Sequence, residues 1–118
     1  MSGPKTSSYT LTAEQRRILA EQRRIRIERE MLTKQLGDIR SVIAETERII
    51  EQIEPLYTEI GADTTRLFQV KALRKEATTA LSQALSVSDT DGSAKLHEAN
   101  KSLRTTAHKL TAVAMAVQ

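Results

Sequence analysis

Apolar residues recur at a spacing of seven along the first half of the chain. Leu11, Ile18, Ile25, Leu32, Ile39, Ile53 and Ile60 all fall on heptad position d, with Thr46 the one interruption. A seven-residue period keeps one seam of a helix turned toward the same neighbour, so it predicts one long helix over about residues 12–60. The a positions change along it. Gln15, Gln22 and Arg29 are polar, whereas Leu36, Ile43, Ile50 and Tyr57 are not. Past residue 36 the g positions become apolar as well, with Val42, Ile49 and Leu56. An a/d/g stripe is wider than a two-helix seam and fits a helix with two neighbours. The pattern therefore predicts a polar tail over 1–11, a projecting basic helical arm over 12–35 and a helical bundle over 36–118.

Local signals punctuate the same plan. Thr12-Ala-Glu-Gln15 reads as a capping box, the threonine hydroxyl accepting from the first turn while Gln15 reaches back to the cap. Pro55 lies at a solvent-side f position inside the heptad series, where it predicts a kink rather than a stop. Gly61 is the clearer stop, with Asp63 or Thr64 as the next cap. A second helix is predicted over about 65–86, with Val70, Leu73, Ala77, Ala80, Leu81, Ala84 and Val87 on one face. Ser88-Asp-Thr-Asp-Gly92-Ser93 is a loop by composition. A third helix over about 93–117 carries Leu96, Ala99, Leu103, Ala107, Leu110, Val113 and Val117. The seam alanines of the second and third helices permit close antiparallel approach. The expected fold is all-α: a long heptad-patterned helix plus an antiparallel helical hairpin, forming a three-helix bundle. The third helix runs into Gln118 with no cap, which hints that the natural chain continues.

Composition narrows what such a scaffold does. Aromatic residues make up 3% of the 118 residues and there is no cysteine. The first argues against a sheet core or an apolar ligand pocket; the second excludes disulfides, thiolate metal sites and cysteine nucleophiles. With neither a signal peptide nor an apolar run of membrane-spanning length, a cytoplasmic setting is expected.

The net charge of +3 is unevenly placed. Residues 1–31 hold the whole basic excess, while residues 32–118 balance. The arm also contains a seven-residue repeat, Ala13-Glu-Gln-Arg-Arg-Ile18 followed by Ala20-Glu-Gln-Arg-Arg-Ile25. Arg16, Arg17, Arg23, Arg24, Arg26 and Arg29 could neutralise phosphates. Glutamates stand at i,i+4 pairing distance, however: Arg17 with Glu21, Arg24 with Glu28 and Arg26 with Glu30. Polar residues at a with isoleucine at d read better as a coiled coil whose register and partner are fixed by the polar positions. A membrane-surface helix would draw on Ile18, Leu19, Ile25, Ile27 and Met31, but it lacks an aromatic anchor.

Other constellations fail on spacing. Asp89-Thr-Asp91-Gly92 resembles part of a calcium loop, but one register puts Val87 at the first ligand and the other puts Ala94 at the turn glycine. His97 and His108 are about 16 Å apart on one helix, too far to share a metal, and read as surface histidines. No nucleophile triad or phosphate loop is present, so neither an enzymatic role nor a cofactor is expected. The segment Thr6-Ser-Ser-Tyr9-Thr-Leu11 is β-prone and is a candidate for strand addition or phosphorylation.

The expected function is a non-enzymatic coiled-coil interaction and assembly module. Its arm seam of Leu11, Gln15, Ile18, Gln22, Ile25, Arg29 and Leu32 would pair with its own copy or a partner helix. The alternative is a nucleic-acid-binding accessory protein using Arg16, Arg17, Arg23, Arg24 and Arg26. A further alternative is a fragment or small subunit of a larger machine, such as a secretion, phage or segregation component.

Overall fold

The computed structural model describes residues 10–117. The tail expectations that rest on residues 1–9 lie outside the described residues. Among the described residues there are three α-helices and no strand: α1 (Ala13–Ile60), α2 (Thr65–Leu85) and α3 (Ser93–Ala116). A short 3-10 turn, Asp89–Asp91, joins the last two. The particle measures 85 × 20 × 16 Å, a rod whose length is set by α1.

Each helix starts and stops for a local reason. At the start of α1 the Thr12 hydroxyl accepts from the Gln15 amide and the Gln15 side chain accepts from the Thr12 amide, completing the capping box. Pro55 sits within the continuous helix. Gly61 ends it at φ 67°, ψ 31°, a left-handed conformation open to glycine without steric penalty. The Asp63 carboxylate accepts from the amide and hydroxyl of Thr65 and so fixes the turn into α2. The Thr65 hydroxyl and then its amide hold the Asp63 carboxyl below its ordinary pKa, against a smaller opposing effect of desolvation.

The core follows the heptad logic. Leu96, Leu103, Leu110 and Val117 are buried at intervals of seven on α3. Val70, Ala77 and Ala84 are buried at the same interval on α2. The small α2 side chains let α3 approach closely. From α1 the core receives Leu32, Ile39, Thr46, Ile49 and Ile50. The buried Thr46 hydroxyl, which interrupts the d series, donates to the Val42 carbonyl one turn back and so needs no partner from another helix.

α1 and α3 run parallel, with α2 antiparallel to both. Glu21 meets Ser93 and Glu28 meets Asn100, while Glu54 pairs with Lys71 and Arg29 reaches Val87. This register differs from the expected one, in which the hairpin matched residues 36–60. The loop and 3-10 turn carry the chain past the end of α2, so that α3 begins opposite Glu21. Residues 21–35 therefore belong to the bundle, and the uncovered segment of α1 is shorter than the 12–35 arm. Of the polar a positions, Arg29 did not mark an uncovered helix, because its guanidinium is held by Asp89 and the Val87 carbonyl.

Candidate functional site

The uncovered part of α1 is its first two turns. Every residue from Thr10 through Ile18 is exposed, and Leu19 and Ala20 are half-buried. Of the seven seam residues, Leu11 and Ile18 are 40% and 51% exposed, and Gln15 and Gln22 are exposed beside them. The other three are taken up internally. Ile25 packs on the core, Leu32 is fully buried, and Arg29 turns sideways. Its guanidinium donates to Asp89 at 2.8 Å and to the Val87 carbonyl at 3.0 Å. The seam splits between Gln22 and Ile25, four residues free and three occupied.

A clamp between α1 and α3 sets that boundary. Gly92, at φ 93° and ψ 165°, supplies no side chain to cap α3. Glu21 of α1 does so in its place. Its carboxylate accepts from the Ser93 amide at 3.0 Å and the Ser93 hydroxyl at 2.6 Å. A carboxylate at a helix N-terminus satisfies an orphan amide and meets the positive end of the macrodipole. The Ser93 hydroxyl and then its amide hold the Glu21 pKa down, with Arg24 adding to them and desolvation opposing.

Two turns further on, Glu28 is the most enclosed acid of the clamp, its side chain 16% exposed. Asn100 is fully buried and donates to the Glu28 carboxylate at 2.7 Å and the Glu28 main-chain carbonyl at 3.0 Å. His97 Nδ1 lies 3.0 Å from the other carboxylate oxygen. Desolvation pushes the Glu28 pKa up, but hydrogen bonds from His97 and Asn100 and the charges of His97 and Arg104 together outweigh it. The net direction is downward. Asn100 Oδ1 is buried without a hydrogen-bond partner in this structure. A buried asparagine between Leu96 and Leu103 favours the one register in which its amide meets Glu28.

These contacts revise the arginine pairing. Glu21 and Glu28 face α3 rather than Arg17 and Arg24; Arg24 instead pairs with Glu21 at i,i−3. Among the described residues, Arg16, Arg17, Arg23 and Arg26 form no ion pair. Sequence reading missed the clamp because its partners lie 69 and 72 residues apart. The available signal was a helix start at Gly92-Ser93 whose N-cap residue has no side chain.

His108 is exposed, and no cluster of metal-binding side chains occurs among the described residues. No helix among them is long and apolar enough to cross a membrane. Three shallow depressions of about 310, 490 and 320 Å³ follow one another along the α1–α3 groove, none of them lined by α2. No family model, curated protein or solved structure matches this chain.

Proposed function

We propose that the protein is a non-enzymatic helical assembly module whose free N-terminal seam docks a partner helix, in the simplest case that of its own copy. One observation carries this reading. The d series that the bundle occupies from Ile25 onward continues, uncovered, through Ile18 and Leu11. An apolar row that outruns its internal partners is the usual ground for intermolecular helix pairing, and Gln15 and Gln22 beside it supply register. Ile18→Asp should lower the associated mass, read by light scattering across a dilution series, and should leave helicity unchanged because Ile18 is half exposed and lies outside the packed core. A mass that matches wild type at every concentration in Leu11→Asp/Ile18→Asp ends the reading.

A second reading draws on a different observation. Among the described residues, Arg16, Arg17, Arg23 and Arg26 have no acidic partner, and Glu21, which stands at i,i+4 from Arg17, is engaged by Ser93 of α3. Four such arginines suit a phosphate backbone. On this reading, retention on duplex DNA falls steeply with salt, and Arg16→Gln/Arg17→Gln/Arg23→Gln/Arg26→Gln loses it while Ile18→Asp keeps it. Binding indifferent to those four substitutions excludes the arm as a nucleic-acid site.

A further inference from the structure

α1 carries a second stripe, on the far side of the helix from Leu11 and Ile18, along the edge of the α1–α3 groove. It shares Val42, Ile49 and Leu56 with the g positions, and of these Ile49 is buried in the core. Arg24 and Ile27 border its first depression, Asp38 and Val42 its second, and Val42, Glu45 and Ile49 its third. Ile27 and Met31 are 57% and 38% exposed on this edge, and Leu56, further along, is 57% exposed. On a helix of 3.6 residues per turn all of these fall within about 60° of one another. α3 covers one side of the stripe and α2 none of its groove, so a further helix can lie there.

The stripe is self-complementary when read backwards. In an antiparallel pair of identical helices, residue i meets residue j wherever their numbers add to a constant. With Arg24 opposite Glu45, the same register sets Ile27 opposite Val42, Ala20 opposite Ile49 and Met31 opposite Asp38. It also sets Ala13 opposite Leu56, so the uncovered start of one α1 lies along the uncovered end of the other. Every position of the stripe lands on another position of the stripe. The charges agree with this direction. Arginine marks the N-terminal half, aspartate and glutamate the C-terminal half, and an antiparallel two-fold brings Arg24 to Glu45 twice. A parallel pair would set like against like.

We propose that the α1–α3 groove is an isologous interface in which a second copy of this chain packs its α1 antiparallel, centred between Lys34 and Gln35. The paired stretch from Ala13 to Leu56 is about 65 Å long at 1.5 Å per residue. With a contact width near 10 Å it buries roughly 1,300 Å² over both copies, near the lower edge of the range for stable specific interfaces. The α3 walls of the groove add to that. This surface lies on the other side of α1 from Leu11 and Ile18, so it is independent of the arm seam.

A charge swap tests it. Wild-type protein should sediment at no less than twice the 13.2 kDa chain mass, and at twice that mass when the arm is blocked by Ile18→Asp. Arg24→Glu and Glu45→Arg each place like charges together twice, and each should weaken the dimer about tenfold or more. The double variant Arg24→Glu/Glu45→Arg restores the pairs and should return to within a few-fold of wild type. Both side chains are exposed and each is also paired within α1, Arg24 with Glu21 and Glu45 with Arg48, so circular dichroism, which should show the helices retained in all three, checks that a lost dimer is not a lost fold. Because the chain has no cysteine, Lys34→Cys offers an independent measure. At the register centre it should cross-link two copies under mild oxidation, whereas Arg16→Cys should not. A monomeric wild type, a double variant no better than the singles, or a dimer broken by Ile18→Asp but indifferent to Arg24→Glu and Glu45→Arg would each overturn the groove interface. The last of these outcomes would leave the arm seam standing.

Discussion

Asn100→Asp should cost about 3–5 kcal/mol of stability at neutral pH, more than any surface substitution in the protein. The native amide donates at once to the Glu28 carboxylate and the Glu28 main-chain carbonyl, from a position with no solvent exposure. An ionised aspartate has no proton to donate. It would face two acceptors, one of them a carboxylate, and both charges would lie against the same buried layer. Burial and Glu28 would raise the folded-state pKa of the new carboxyl above its unfolded value. The variant's deficit is therefore greatest above that raised pKa and shrinks as pH falls through it, because the protonated form donates to Glu28. Wild type should show the opposite slope. Glu21, Glu28 and Asp63 all have folded pKa values below their unfolded ones, so their contribution is complete above the ordinary carboxylate range and lost on acidification. Urea midpoints followed from neutral to acid pH should converge for the two proteins. Parallel curves, or a variant as stable as wild type at neutral pH, would show that the amide donor is dispensable.

Leu103→Ala should cost about 3 kcal/mol, a large part of the ~5–15 kcal/mol by which a domain of this size is stable. Leu103 is completely buried on α3, between Leu96 and Leu110 and one turn from Asn100. Its loss removes transfer energy and leaves a cavity in a rod too thin to collapse around it. Phe68→Ala is the control. Phe68 is the largest apolar side chain in the chain, yet it is 67% exposed on α2, and its truncation should change the urea midpoint little. Equal losses from the two substitutions would mean that the core is not centred on the α3 heptads.

Both predictions depend on distinctions of unequal legibility in the sequence. The capping box at Thr12, the stop at Gly61 and the seven-residue spacing of Leu96, Leu103 and Leu110 are local or periodic signals, and the helices they delimit are present. The register between the helices is a different kind of information. It depends on how far the 86–92 connection carries the chain, and on which α1 side chains satisfy a helix start that has no cap of its own. Arg29 and Glu28 stand in the sequence as arm residues, but each is held by the hairpin. Hydrophobic patterning, which weighs each polar residue as a mark of solvent, had no means of assigning them there. For the same reason only the first four arm-seam residues remain available to a partner, and the α1–α3 clamp fell outside the sequence reading.

The Glu21–Ser93 bond has a consequence for cooperativity. A helix capped by its own residue can fray at one end without consulting the rest of the molecule. α3 instead borrows its first acceptor from a residue 72 positions earlier, so unwinding its first turn and lifting α1 away from it are coupled. The free seam and the folded rod therefore meet at a latch, and whatever binds on one side of it bears on the stability of the other.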